Sequence, residues 1–191
     1  MSTQPFLVTG LPRSRTAWWS VVASTPYSVC LHEPAKACAT FDELKDLWLS
    51  LPVYRGISDS GLAFQMGRIM HEIEPRTLIV ERDPRDVLAS FKRYWGQPFD
   101  EGKVEQMLFD AANTLQAFHS HPLVKVVKFE ALNDYDTAQE CFRWLMPGNP
   151  HPMREDLFHM RVNVDRDHIA RAVTKPHTFW HMQGVTPCLS S

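Results

Sequence analysis

The stretch Phe6-Leu7-Val8-Thr9-Gly10-Leu11-Pro12-Arg13-Ser14-Arg15-Thr16-Ala17-Trp18-Trp19 is an apolar run that stops abruptly in a turn rich in Arg and hydroxyl groups. Its first half reads as a buried strand over residues 5–9, and its second half leads into a helix over 14–24. A second stretch repeats the design: Leu78-Ile79-Val80-Glu81-Arg82-Asp83-Pro84-Arg85-Asp86-Val87-Leu88-Ala89-Ser90. Here Pro84 stands where a first helical turn tolerates proline. Unpaired N–H groups at such a strand-to-helix turn, joined by Arg and Ser/Thr donors, suit an anion. Two of them on one sheet suit a ligand with phosphate-like groups at both ends.

Working outward, strands are expected at 29–32, 54–58, 77–81 and 124–129. Helices are expected at 40–49 behind an N-cap at Thr40, then at 62–73, from Pro84 to about Tyr94, at 101–119 and at 135–145. Two short helices are expected at 153–160 and 165–173. Strands alternating with helices predict an α/β fold in three layers, with a central parallel sheet of four to five strands flanked by helices. The 191 residues suit one domain, with a core over 5–147 and a helical tail over 148–191. Ligands of such sheets sit at the carboxyl ends of the strands, where both Arg-rich turns fall.

A formal net charge of −2 disfavours a general nucleic-acid or membrane-surface role. No apolar run is long enough to span a bilayer, and no leader is read before the first strand. Cys30, Cys38, Cys141 and Cys188 lack CxxC spacing, which suits reduced structural thiols and a cytoplasmic location. His119-x-His121 and His177-x-x-x-His181 have no companion carboxylate or cysteine pair, so no metal is expected.

The first turn lacks the second Gly and the Lys of a G-x-x-x-x-G-K-[ST] loop, so a nucleotide-triphosphate grip is not expected from it. Pro12-Arg13-Ser14-x-Thr16-x-Trp18 instead resembles the 5′-phosphosulfate loop of the sulfotransferases, roughly P-[KR]-S-G-T-[TS]-[WL]. Arg82-x-Pro84-Arg85-Asp86-x-x-x-Ser90 is similar to that family's 3′-phosphate motif, R-[DN]-P-[RK]-D-x-x-x-S, without a gap. Val126-Val127-Lys128-Phe129-Glu130-Ala131-Leu132 resembles its later Y-E-D-L strand.

The resemblance runs in order from residue 5 to about 147 and implies a P-loop-NTPase-like fold. The implied activity is sulfuryl transfer from 3′-phosphoadenosine 5′-phosphosulfate to a hydroxyl or amine on a small-molecule or macromolecular acceptor. It further implies that Pro12, Arg13, Ser14, Arg15, Thr16, Ala17 and Trp18 form the phosphosulfate loop, that Arg82 and Ser90 hold the 3′ phosphate, and that no metal takes part. Arg13 is the expected stabiliser of the leaving phosphate.

The acceptor needs a base. Glu33, just after the second strand, comes first, with its neighbour His32 and with Asp59 in Ser58-Asp59-Ser60-Gly61 as the others. For Asp59, capping the next helix is the favoured role. Tyr94-Trp95 lines the acceptor side or plugs the end of the domain. The chain departs from the pattern at Arg15, where the family has Gly, and at Ala17, where it has a hydroxyl. If position 15 needs a positive φ, Arg is strained there. The family's C-terminal R-K-G segment is missing, with Arg161, Arg166, Arg171 and Lys175 as substitutes. A nucleotide kinase or hydrolase and a non-catalytic nucleotide binder are the alternatives.

Overall fold

The computed structural model describes residues 4–51, 54–95, 98–160 and 162. Five strands, β1 (Phe6–Gly10), β2 (Ser28–His32), β3 (Tyr54–Ser58), β4 (Arg76–Glu81) and β5 (Val124–Lys128), form one sheet in the order β2-β3-β1-β4-β5. All its pairings are parallel. The helices are α1 (Thr16–Val22), α2 (Phe41–Ser50), α3 (Met66–Glu72), α4 (Pro84–Trp95), α5 (Glu101–Gln116), α6 (Tyr135–Leu145) and the single turn α7 (Glu155–Phe158).

Strand alternation divides the core into two layers. On one face Phe6, Val8, Leu78, Val80 and Val127 meet Trp18, Trp19 and Val22 of α1 and Cys141, Phe142 and Leu145 of α6. On the other, Leu7, Ile57 and Ile79 meet Phe41 and Trp48 of α2, Ile69 of α3, Val87 of α4 and Leu108 and Leu115 of α5. Each fully buried side chain of this size contributes about 1.5–3 kcal/mol. Being covered on both sides is why β1 and β4 read as unbroken apolar runs. The crossover from β1 to β2 uses α1, and the crossovers in the opposite direction use α2 to α5. Right-handed connections place the two sets on opposite faces in this way.

The expected strands are all present, and β1 pairs with β4 in the register Phe6↔Arg76 to Gly10↔Val80. Several helix boundaries differ from the sequence reading, among them that of α5, which ends at Gln116 rather than 119. Helix α1 starts at Thr16 rather than 14, because Arg15 is left-handed at φ 62° and Ser14 belongs to the turn. The helix expected over 62–73 opens as a 3₁₀ segment, Ser60–Gln65, before α3 takes over. Of the tail, 148–160 holds only α7, while the helix expected over 165–173 lies outside the described residues.

Among the described residues no helix is long and apolar enough to cross a membrane. Cys30, Cys38 and Cys141 are buried and form no disulfide among the described residues, and burial pushes the Cys141 thiol up to about 11. Such thiols are poor nucleophiles and act as core side chains.

Candidate functional site

β1 and β4 are neighbours whose connections leave in opposite directions along the sheet, which opens a crevice at their carboxyl ends. The two Arg-rich turns meet there. Arg13 Nε donates to Ser90 Oγ at 3.4 Å, and its guanidinium lies over the Tyr94 ring, 4.1 Å from the centroid. Arg82 Nη1 donates to the Arg13 carbonyl at 2.7 Å and stacks over Phe129 at 4.2 Å. The second turn is shaped by Asp83, whose Oδ1 accepts from Arg85 N at 2.7 Å while its carbonyl accepts from Val87 N at 3.1 Å.

The first turn is strained. Arg13 has φ 68° and Arg15 φ 62°, left-handed conformations that cost non-glycine residues on the order of 1–3 kcal/mol each. Left-handed residues of this kind occur in the concave backbone nests that bind anions. Between them Ser14 is fully buried, and its Oγ has no hydrogen-bond partner within the described residues. Arg82 Nε is buried and unpartnered as well. Orphaned donors beside an exposed Arg13 suit a group rich in acceptor oxygens, which is the fit a phosphosulfate or phosphate requires.

Arg15 takes a different place. Its Nη1 donates to the Leu132 carbonyl at 2.6 Å, its Nη2 to Asn133 Oδ1, and its guanidinium lies 5.1 Å from the Phe129 centroid. Phe129 therefore carries two guanidinium groups, from Arg15 and Arg82. Burial first, then the charge of Arg82, lowers the Arg15 guanidinium below its ordinary range. Arg82 is lowered by burial and by Arg13 and Arg93, against the pull of Asp86 and Glu130. The positive φ at position 15 is one a glycine adopts without cost, and the Arg15 side chain reaches from it to residues 132–133.

Thr16 is buried at the start of α1, where its carbonyl accepts from Ser58 Oγ at 2.7 Å. Pro12 and Ala17 are half-buried. Trp18 and Trp19 are core residues in edge-to-face contact, with centroids 5.0 Å apart, and Trp18 Nε1 donates to the Leu157 carbonyl at 3.3 Å.

The three candidate bases lie together at the carboxyl ends of β2 and β3, where His32 stands opposite Ser58 in the register. The strand ends at His32, and Glu33 turns left-handed at φ 47°. Glu33 N donates to the Ser58 carbonyl at 3.0 Å, and its carboxylate pairs with Lys36. Asp59 is the cap expected of it: Oδ1 accepts from Gly61 N at 2.8 Å and Oδ2 from Ala35 N at 3.3 Å. Its carboxyl is buried and pushed up to about 7, first by burial and then by the charge of Glu33.

That shift has a consequence for stability. The unfolded chain releases this proton near pH 4, whereas the folded chain keeps it up to about 7. Between those values the folded state binds more protons, so its stability falls as pH rises and levels off above the folded pKa. Urea midpoints of Asp59→Asn, followed from pH 4 to 8, are expected to show a flatter decline than the unmodified protein. An unchanged slope would contradict the assignment.

Arg161, Arg166, Arg171, Lys175, His177, His181 and Cys188 lie outside the described residues. Among the described residues no group of three His, Cys, Asp or Glu side chains could hold a metal ion. No family model matches this chain, and no curated protein matches it.

Proposed function

We propose that this chain is a sulfotransferase of P-loop-like design, taking 3′-phosphoadenosine 5′-phosphosulfate as donor and a hydroxyl or amine as acceptor in the cytoplasm. The observation that carries the reading is the meeting of Arg13, Arg82 and Ser90 beside the unpartnered hydroxyl of Ser14. The donor, when bound, supplies an activated sulfuryl group with phosphate as its leaving group. Residues 12–18 hold its phosphosulfate end, and Arg82 with Ser90 holds its 3′ phosphate.

Arg13 reaches both turns, so its guanidinium can stabilise the charge that develops on the phosphate oxygen as the sulfuryl group departs. Glu33, at the same edge of the sheet, accepts the acceptor's proton. Breaking its pair with Lys36 frees the carboxylate for that task. The lack of a loop Lys argues against a phosphoryl-transfer enzyme. The Glu33–Lys36 pair favours a second reading, a nucleotide-binding module without turnover.

The two are separated by Glu33→Gln. A catalytic base predicts about a 10²-fold or greater loss of sulfuryl transfer from radiolabelled donor across a panel of hydroxyl and amine acceptors. Donor affinity is expected to stay within about twofold. Turnover that survives the substitution would remove Glu33 from the mechanism, and no turnover in the unmodified protein would favour the binding module.

A further inference from the structure

Strand β3 ends in Gly56-Ile57-Ser58, and alternation sends Ile57 into the layer with α2 while Gly56 and Ser58 take the opposite face. Ser58 stands in register with Val8 of β1, which belongs to the layer under α1, and with His32 of β2. An apolar side chain is expected at such a position, yet the serine there is fully buried. A buried hydroxyl is costly unless it is bonded. Ser58 Oγ donates to the Thr16 carbonyl at 2.7 Å, at the start of α1. The carbonyl of Ser58 accepts from Glu33 N at 3.0 Å. One residue thus joins the first Arg-rich turn to the turn that carries Glu33.

Asp59 extends the same junction. Its N donates to the Val8 carbonyl at 3.0 Å, and its carbonyl accepts from Thr9 Oγ1 at 2.9 Å, one residue before Gly10. Its Oδ2 accepts from Ala35 N at 3.3 Å, so the turn after β2 is held at two points. These bonds of Asp59 fix Glu33's turn to β3 and β3 to β1. The Ser58 hydroxyl reaches past the strands to the start of α1. The first turn has other supports, because Arg82 Nη1 holds the Arg13 carbonyl and Trp19 N donates to the Arg15 carbonyl at 2.9 Å. Losing the Ser58 hydroxyl therefore leaves the turn formed but loosens its placement relative to Glu33.

We propose that Ser58 is a positioning residue for sulfuryl transfer: its hydroxyl sets the distance between the first turn, which holds the activated sulfuryl group, and Glu33. In the transfer, the acceptor's proton goes to the Glu33 carboxylate as the acceptor's oxygen or nitrogen bonds to sulfur. The sulfur–oxygen bond to the phosphate breaks, and its electron pair leaves with the phosphate. A misplacement of about 1 Å in such an arrangement can cost about 100-fold in rate. The inference rests on the donor reading above, with Glu33 as base, and gives a role to a buried residue that neither Arg-rich motif includes.

The test compares Ser58→Ala, Ser58→Cys, Glu33→Gln and the double variant Ser58→Ala/Glu33→Gln with the unmodified protein. Transfer from radiolabelled donor to an acceptor that the unmodified protein turns over gives kcat and donor KM. Titration with adenosine 3′,5′-bisphosphate gives donor-site affinity. Ser58→Ala is expected to lower kcat by about 10-fold, with bisphosphate affinity within about twofold. Ser58→Cys keeps a weak donor of similar size and is expected to recover part of the loss. In the Glu33→Gln background, Ser58→Ala is expected to change kcat by less than about twofold, because the base it positions is already gone. An equal loss in both backgrounds, a loss carried by donor affinity instead of kcat, or no loss at all would overturn the role of Ser58 while leaving the donor reading in place. A protein that binds the bisphosphate but turns over equally well as Glu33→Gln would overturn this inference through its base. Failure of the unmodified protein to bind the bisphosphate would overturn the donor reading, and this inference with it.

Discussion

Arg82→Ala is expected to weaken binding of adenosine 3′,5′-bisphosphate by about 100-fold. One side chain does three things at this site. It donates to the Arg13 carbonyl at 2.7 Å, which helps to hold the left-handed first turn. It stacks on Phe129, a ring it shares with Arg15, tying the end of β4 to the segment that follows β5. In the proposed complex it also contacts the 3′ phosphate. A charge-assisted hydrogen bond contributes about 1.5–3 kcal/mol, and a cation stacked on an aromatic ring about 0.5–2 kcal/mol. Together they span about 2–5 kcal/mol, which brackets the roughly 2.7 kcal/mol that corresponds to a factor of 100. Arg82→Lys keeps the charge but not the planar fork, and is expected to recover only part of the affinity. Titration of the three proteins reads the effect directly, and a loss below about fivefold for Arg82→Ala would contradict the role given to it.

Gly10→Ala is the second large effect. Gly10 ends β1 opposite Val80, and a Cβ there would lie 2.4 Å from the Val80 carbonyl oxygen and 3.3 Å from Ser14 Cβ. The obstacle is backbone of the neighbouring strand, which cannot swing aside as a flexible side chain can. The two central strands must separate at the point where the anion site begins. The cost is expected at the upper end of overpacking, about 3 kcal/mol, with a Tm lower by roughly 6–12 °C. Nucleotide binding should weaken as well, because Ser14 is displaced. Gly67→Ala in α3 is the contrast: nothing lies within 4 Å of its added Cβ. A gain of about 0.5–1 kcal/mol is expected there from helix propensity alone. A Gly10→Ala protein as stable as the parent would contradict the close approach of β1 and β4.

How far the sequence carried this description depends on whether the signal was local. The buried strands β1 and β4 were legible because a parallel strand covered on both faces is a continuous apolar run. Their turns were legible because strand, Arg-rich loop and helix follow one another without a gap. The order β2-β3-β1-β4-β5 was not, since no local pattern records which strand becomes a neighbour. Residues 62–65 of the 3₁₀ segment fall within the helix expected over 62–73, because Leu62, Ala63, Met66 and Ile69 have spacing that fits either form over so short a piece.

At the site, a positive φ at position 15 was only conditional in the sequence; the structure has it there, and has the same conformation at Arg13, which nothing in the sequence signalled. The partners of Arg15 lie in residues 132–133, a tertiary contact with no trace in the turn itself. Asp59 was legible as a cap. The influence of Glu33 on it was not, because it arises only when β2 and β3 pair.

The most direct test of the central claim is a calorimetric titration of the unmodified protein with adenosine 3′,5′-bisphosphate, ADP and ATP, each with and without Mg²⁺. Tight binding of the bisphosphate that does not depend on Mg²⁺, with weak binding of ADP and ATP, is the predicted result. Preference for ATP with Mg²⁺ would contradict it and assign the two turns to phosphoryl transfer instead.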